Sequence, residues 1–491
     1  MMNSGKPVEL VTRANFKFTL NENAISYFTS SGFQDMDVAV VTIAGPGRYG
    51  KSFILNFFLR YATHRYSEGH NPDDWLKDLN RPLTGFPWEK ESERTSTAIN
   101  MWPEFFVCNK TNGQKICIIF LDTQTGDERN TSAAEYSCIY AICSMISSVL
   151  ILNVGSSIQE TYLQQIEVFA EYGKMAIADS GVKPYQQLLF LVRDWRSPFQ
   201  YPYGFDGGQL YLKQYLDSES EDRKAVKELT SPRENIPNAF QDIQCFLMPR
   251  PGEVATYGIS KEFQGSLKGI DPKFVSNLGV LVPKILSPEN LIAKTINGQK
   301  VNVKELYVHL MKWVDLFNGP TMPVPTSMFN ATVEANNEAA KENALNWFKE
   351  EVSKSTGKNY MDEEKLKKTL MNLENLALKK FDEYHKMGGS KYSQPHRDSL
   401  QLTLKIVREN CEEENANLAH PWAKLMREWG NRMCKIGQAV GFLLFILVVN
   451  DFLAYLEIHK LNEVAGRKIP VMEFTFAATL GFILYVYLTY E

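Results

Sequence analysis

Cysteine is scarce in this chain and builds no scaffold. The seven residues (Cys108, Cys117, Cys138, Cys143, Cys245, Cys411 and Cys434) are odd in number, scattered, and contain no CxxC pair. That excludes a disulfide framework or a cysteine-rich zinc site and fits reduced thiols in a cytosolic compartment. Histidine is equally sparse. Seven are dispersed along the chain, and the nearest pair, His64 and His70, reads as surface residues. There is no excess of basic charge either. A net charge of −4 over 491 residues gives no sign of bulk nucleic-acid binding, so no nucleic acid is expected among the partners. The polar N-terminus has no signal-peptide pattern. A chain that is 22% charged and 44% hydrophobic is too apolar to be disordered, and its length allows two or three domains.

Long apolar runs are missing until the C-terminus, where two occur. Residues 436–456 (IGQAVGFLLFILVVNDFLAYL) and 469–490 (IPVMEFTFAATLGFILYVYLTY) each approach the ~20 residues that a membrane helix needs. The 12 residues between them, Glu457 to Lys468, are polar. Two spans with so short a loop form a hairpin, so both ends face one side. Lys424, Arg427, Arg432 and Lys435 precede the first span and place that side in the cytosol, although Lys460, Arg467 and Lys468 in the loop make the asymmetry modest. Asn450-Asp451 interrupt the first span, and a central Asp costs roughly 2.5–3.5 kcal/mol on insertion. The hairpin then either sits shallowly or turns this pair toward a neighbouring helix.

What the chain does contain is a phosphate-binding pattern. Residues 45–52 read GPGRYGKS, the spacing GxxxxGK[ST], after the apolar run Val38–Ala44 and before the helix-like run Phe53–Arg60. Backbone N–H groups must wrap the α- and β-phosphates, and Gly45 and Gly50 let the backbone come close enough. A helix starting near Lys51 turns its positive dipole end toward the anion. Lys51 would reach the β- and γ-phosphates, and the Ser52 hydroxyl would hold Mg²⁺. Gly45, Gly47, Arg48, Tyr49, Gly50, Lys51, Ser52 and Phe53 are therefore the first candidate nucleotide-binding set.

From about residue 38 to 320, short apolar runs alternate with amphipathic stretches. Val38–Ala44, Lys115–Leu121, Val149–Val154, Leu188–Arg193 and Ile243–Leu247 predict strands, each separated from the next by enough chain for a crossover helix. That is an α/β pattern, a mostly parallel sheet covered on both faces. Three prolines within Asn318–Thr326 then break the pattern and favour extended backbone. The expected organisation is a nucleotide-hydrolase domain over 1–318, a Pro-rich hinge over 319–327, an all-α bundle over 328–430 and the hairpin over 436–490. In the bundle, helices are expected from the N-cap Ser327 to about Ser353, from Asp362 to about Met387 before Gly388-Gly389, and from Asp398 to about Asn417. Leu366, Leu370, Leu373, Leu376 and Phe381 supply a packing stripe on the middle helix.

A phosphate loop also needs a carboxylate for the Mg²⁺ water shell at the end of a neighbouring strand. Asp122, closing the run Lys115–Leu121, supplies one. Base recognition needs an acceptor for the guanine edge. Asn109-Lys110-Thr111-Asn112 looks like an NKxD box, but it precedes Asp122 and ends in Asn, and it reads as a hairpin turn into the next strand. Arg193-Asp194, at the end of Phe190-Leu191-Val192, is the better candidate.

Several blocks, in this order, resemble the atlastins, membrane-anchored GTPases of the dynamin superfamily related to guanylate-binding proteins. They are the phosphate loop with Arg48; Gly85-Phe86-Pro87-Trp88 leading to Ser92-Glu93-Arg94; Asp122-Thr123-Gln124; Leu191–Trp195; Cys245–Gly252; the Pro-rich hinge; Glu334-Ala335-Asn336-Asn337; Lys386–Gly389; and the membrane hairpin. The resemblance implies that Arg193 and Asp194 recognise guanine and that Val254 lies where the family closes over the base, in a loop one residue shorter. It implies that Arg48 is an internal arginine finger, neutralising transition-state charge at the γ-phosphate, and that Ser96, with Thr97 adjacent, carries the Mg²⁺- and water-contacting hydroxyl. Catalysis would then rest on Arg48 and Ser96, and Mg²⁺ on Ser52, Ser96 and Asp122.

Two departures from the family pattern lie in the switches. Ala98 stands where the family has glycine, and a DxxG motif starting at Asp122 meets Thr125, with Gly126 one position late. A Thr N–H serves the γ-phosphate only where the backbone does not require positive φ. The function so implied is a Mg²⁺-dependent GTP hydrolase, cycling between GTP and GDP. It would sit in the endoplasmic reticulum membrane as a multi-pass protein with both termini cytosolic, and would dimerise with itself to tether and fuse lipid bilayers. The alternative, motivated by Ala98 and Thr125, is a weakly catalytic GTP-binding tether or tubule-shaping scaffold. The family usually continues past the second span into an amphipathic tail; the last residue here is Glu491.

Overall fold

The computed structural model describes residues 5–14, 17–30, 32–88, 98–124, 133–217, 236–257, 263–318, 323–356 and 360–419. The candidate membrane hairpin, Ser96, Thr97, Thr125 and Gly126 lie outside these. Among the described residues no helix is long and apolar enough to cross a membrane. By internal packing the chain divides into two compact units, residues 1–346 with 377–401 and residues 347–376 with 402–491.

A nine-stranded sheet forms the centre of the first unit. Its strands are β1 (Val8–Ala14), β2 (Lys17–Leu20), β3 (Asp37–Ala44), β4 (Ala98–Met101), β5 (Phe106–Asn109), β6 (Lys115–Gln124), β7 (Val149–Val154), β8 (Tyr185–Val192) and β9 (Phe240–Leu247). They lie in the order β2-β1-β4-β6-β3-β7-β8-β9, with β5 also paired to β6. The five strands anticipated from apolar runs are β3, β6, β7, β8 and β9, and they pair in parallel. The other four join them antiparallel, so the sheet is mixed, not mostly parallel as expected. Of these four, β2, β4 and β5 have only four residues each, too few for an apolar run to announce them. The turn expected at Asn109–Asn112 does join β5 to β6 as a hairpin, with Asn109 opposite Lys115. A separate two-stranded hairpin comprises β10 (Thr295–Ile296) and β11 (Gln299–Lys300).

Eight helices accompany this sheet among the described residues: α1 (Glu22–Phe28), α2 (Lys51–Ala62), α3 (Ala133–Ile146), α4 (Glu160–Ser180), α5 (Phe205–Asp217), α6 (Glu253–Tyr257), α7 (Pro272–Leu286) and α8 (Val303–Leu316). The parallel strands are mostly apolar because both faces are covered, with polar residues such as Asp122 and Asn153 near their ends. On β3, Val38 and Val40 belong to one core with residues of α3 and α8, whereas Ala39, Val41 and Ile43 belong to another with α2 and α7. The P-loop helix α2 is buried along its whole length. At the antiparallel edge, the N–H of Phe18 donates to Asn318 Oδ1 at 2.6 Å, fastening β2 to the residue that precedes the Pro-rich segment.

Three long helices follow: α9 (Pro325–Thr356), α10 (Glu363–Glu383) and α11 (Ser390–Ala419). The last begins eight residues before the expected Asp398 and carries Pro395 inside it, past the first turn, at the cost of one intrahelical hydrogen bond. Within the first unit, Asn336 Oδ1 accepts from the N–H of Met387 at 3.0 Å, and Asn337 Nδ2 donates to its carbonyl at 3.1 Å. Gly388 and Gly389 follow with φ of 80° and 68°. Two separated sequence blocks thus meet at one backbone residue. Within the second unit, Asn415 makes the same kind of double contact with the backbone of Met361, and Arg408 pairs with Glu374 at 2.9 Å. On α10, Leu366, Leu370, Leu373 and Phe381 are buried as the stripe requires, but Leu376 is 40% exposed. Helical periodicity explains the exception. The fourth residue after Leu373 is Ala377, which is buried in its place.

Behind the nucleotide loop, Asn56 of α2 is buried and holds Phe86 from both sides, accepting from its N–H at 2.8 Å and donating to its carbonyl at 2.9 Å. Asn56→Ala leaves two buried backbone groups without partners. It should cost about 2–4 kcal/mol of stability, read as a lower denaturant midpoint at unchanged slope. An unchanged midpoint would show that water replaces the amide.

Candidate nucleotide site

The site is assembled where β3, β6, β7 and β8 end. β3 delivers the phosphate loop, and Gly50, with φ 70°, is the N-cap from which α2 starts at Lys51. Gly45 has φ 141°, and a Cβ built there would lie 2.1 Å from the carbonyl oxygen of Asn153. No other residue fits at this point, because the loop passes directly over the end of β7. Arg48 is exposed at the loop tip and adopts φ 64°, a conformation that costs a non-glycine residue roughly 1–2 kcal/mol. Tyr49, 44% exposed, follows it.

Lys51 is buried, and its Nζ donates to the carbonyl of Pro46 at 2.9 Å, arching over the loop. Ser52 Oγ donates to Asp122 Oδ2 at 2.6 Å, both groups being buried. Asp122 stands beside Ile43 in the parallel ladder between β3 and β6, which is what brings its carboxylate to the loop. A hydroxyl and a carboxylate side by side are hard oxygen donors, and they fit Mg²⁺. Phe53 turns away from the loop into an aromatic group, with ring centroids 5.2 Å from both Phe57 and Trp88.

Arg193 and Asp194 follow β8. Asp194 is half-buried with φ 55°. Arg193 is fully enclosed and points back toward the loop, where Nη1 lies 3.2 Å from the carbonyl of Tyr49, 3.3 Å from that of Gly50 and 3.3 Å from Asn153 Oδ1. Its guanidinium also covers the ring of Phe274 at 5.6 Å. Burial pushes its pKa down to about 10, against a smaller upward pull from Asp194, so it keeps its charge at neutral pH. Val254 is the second residue of the short helix α6, two positions after Gly252, and is half-buried. Ala98 is the first residue of β4, opposite Gln124, and has no positive φ. An alanine costs nothing in that extended backbone, so the local conformation does not call for glycine.

Sequence reasoning did not single out Asn153. Its Nδ2 donates to the carbonyl of Tyr49 at 3.0 Å while its Oδ1 accepts from Arg193. One buried amide therefore ties the phosphate loop to the strand end that carries Arg193 and Asp194. The signal was present: Asn153 is the lone polar residue in the run Val149–Val154, and a buried strand has no use for an amide unless it is hydrogen-bonded.

This geometry, with a phosphate loop between strand and helix, an oxygen pair for a divalent cation and an Arg-Asp pair two strands away, defines a P-loop nucleoside triphosphatase domain. A family model described as the guanylate-binding protein N-terminal domain matches residues 15–295. The chain is similar to Atlastin-3 of Mus musculus, at 37% identity over 424 residues, 85% of this chain and 77% of that protein. It is similar to Atlastin of Drosophila melanogaster, at 38% over 417 residues, 84% and 76% of the two chains. Atlastin-1 of Pongo abelii matches at 35% over 424 residues, 84% and 74%. The chain belongs to the atlastin family and is, by that membership, a GTP hydrolase.

Asn153→Ala removes a loop contact and an acceptor for a buried cation without touching nucleotide. A hydrogen bond to a charged group contributes about 1.5–3 kcal/mol, so GTP and GDP should both bind roughly ten- to a hundred-fold more weakly in a fluorescent-nucleotide titration. Because the loop cradles phosphates common to both, the ratio of their affinities should not move. Unaltered affinity for both would reduce Asn153 to a filler of its strand.

Proposed function

We propose that this protein is a membrane-anchored GTPase that couples GTP hydrolysis to self-dimerisation, tethering and homotypic fusion of endoplasmic reticulum membranes. The observation that carries the catalytic part is Arg48. A non-glycine residue held at positive φ on an exposed phosphate-loop tip stores strain that packing does not require, and such strain clusters at functional sites. Arg48 acts as the internal arginine finger, its guanidinium neutralising charge that develops around the γ-phosphate. Lys51 exchanges its Pro46 carbonyl for phosphate oxygens, and loop N–H groups cradle the rest.

Ser52 and Asp122 hold Mg²⁺, with Ser96 completing the set; the ion neutralises phosphate charge when bound. Ser96, with Thr97, also positions the attacking water. Asp194 accepts from the guanine N1–H and N2–H₂ edge, Val254 closes over the base, and Arg193 supports the pair through the loop. The domain order is the GTPase domain to residue 318, the Pro-rich hinge at 319–327, the helical bundle at 328–430 and a membrane hairpin at 436–490. The two apolar runs of the sequence support the anchor, and the atlastin relatives support the fusion reading. The second reading, a weakly catalytic GTP-binding tether or tubule-shaping scaffold, now rests on Thr125 alone, since Ala98 lies in ordinary extended backbone.

Arg48→Ala should slow single-turnover phosphate release by ~10³-fold or more, the range of arginine-finger losses. GTP affinity should be nearly unchanged, and GTP-driven lipid mixing between reconstituted liposomes should be lost. Equal release rates for the variant and the native chain would favour the weakly catalytic tether. Asp194→Asn should weaken GTP binding by roughly 10–100-fold, the loss of a charge-assisted pair, and leave ATP binding as poor as before; undiminished GTP affinity would remove Asp194 from base recognition.

A further inference from the structure

The end of α2 remote from the phosphate loop carries a side-chain cluster that the nucleotide chemistry does not use. The helix runs on past Ala62 through one wide turn, Thr63–Ser67, closed by Glu68 N donating to the carbonyl of Thr63 at 2.8 Å. Wide turns of this kind are rare and are frequent at functional sites. The chain then doubles back, with His70 N donating to the carbonyl of His64 at 3.0 Å. That fold sets Glu68 Oε2 3.1 Å from His70 Nδ1 and 3.8 Å from His64 Nδ1, all three ligand atoms lying within 4.8 Å of one another. A tetrahedral zinc ion with bonds of ~2.0–2.1 Å separates its ligand atoms by ~3.3 Å, which lies between the two measured separations.

The plain alternative is an exposed carboxylate resting against two imidazoles. His64 argues against it. Its Nε2 lies 2.8 Å from the carbonyl of Asn71, and a carbonyl only accepts, so Nε2 carries the proton. In the neutral ring Nδ1 is then a lone pair facing a carboxylate oxygen. In that form two acceptors face each other, and a metal cation between them turns repulsion into ligation. The surroundings hold this arrangement as ligand supports do. Asn71 is fixed by its own side chain, which accepts from Asp73 N at 3.1 Å. The second oxygen of Glu68 accepts from Arg81 Nη2 at 3.2 Å. The segment leading to Arg81 is pinned by the buried Arg60 of α2, which donates to the carbonyls of Trp75 at 3.1 Å and Asp78 at 2.6 Å.

We infer that His64, Glu68 and His70 form a binding site for a divalent transition-metal ion of the zinc class, with two imidazole nitrogens and one carboxylate oxygen as ligands and water completing the shell. Imidazole donors select such ions over Mg²⁺, so the site is chemically distinct from the one beside Ser52. A bound ion staples the wide turn to the loop that follows it and stabilises the folded state by mass action.

Metal-stripped full-length protein in detergent, titrated with Co²⁺, should develop the visible absorption of tetrahedral or five-coordinate cobalt without a thiolate charge-transfer band. Zn²⁺, and not Mg²⁺ at equal concentration, should raise the thermal midpoint. His70→Ala removes a mostly exposed ligand and leaves the fold intact; it should weaken Co²⁺ binding at least ~100-fold while GTP binding stays unchanged. Arg81→Ala, which frees the carboxylate from its support, should weaken it by ~10–100-fold. Absence of the cobalt spectrum in the native chain, a spectrum dominated by thiolate, or equal binding by His70→Ala would overturn the assignment.

Discussion

The close passage of the phosphate loop over the carbonyl of Asn153 is the contact on which the rest of the site depends. Because Gly45 has no side chain, the backbone meets the end of β7 directly, and the loop is bounded from below by a strand and not by mobile side chains. Lys51, Ser52 and the start of α2 take their positions from that boundary. Strand pairing then brings Asp122 to Ser52 through the ladder of β3 with β6. The polar chemistry at the sheet end is thus fixed by apolar strands, buried on both faces, that have no other way to pack.

Arg193 shows how little of such a site is decided by the residue type alone. As one half of an Arg-Asp pair it reads as a base-recognition residue. Its guanidinium sits against loop carbonyls, an amide oxygen and an aromatic ring, all within the protein. A cation buried this deeply is tolerated because each of those groups presents negative potential. The neighbouring Asp194, turned by its positive φ, is the member of the pair left half-buried. The two side chains part because the backbone leaves the extended conformation at Asp194, past the end of β8.

Much of this was legible beforehand, for identifiable reasons. The five parallel strands announced themselves because burial on both faces forces uninterrupted apolar runs. The phosphate loop did so because its glycines and lysine have fixed spacing. The antiparallel half of the sheet did not, because three of its four strands have four residues each and lean on neighbours for their identity. The helix beginning at Ser390 starts eight residues before the expected Asp398, and it runs through Pro395, a residue type that local reasoning sets against a helix interior. Asn153 went unremarked because its meaning lies in two partners far away in sequence, Tyr49 and Arg193. The same holds for His64, Glu68 and His70: their spacing is unremarkable until a wide helical turn folds them together.

The antiparallel half has a mechanical consequence. Asp122 of β6 lies opposite Asn100 of β4, Asn100 opposite Glu9 of β1, Arg13 of the same strand opposite Phe18 of β2, and Phe18 is bonded to Asn318. Strand pairing therefore forms a crosswise strap from the residue whose carboxylate lies beside the phosphate loop to β2, running along β1 from Glu9 to Arg13 past an irregularity in register. One hydrogen bond to the Asn318 side chain carries it to the residue that precedes the Pro-rich segment. Rungs of such a strap share a load along the strands and yield only together, so the strap transmits displacement with little stretch. It is stiffer than a path through packed side chains, each of which can change rotamer separately. The strands that the sequence announced least thus form a hydrogen-bonded line between the phosphate-loop end of the sheet and Asn318.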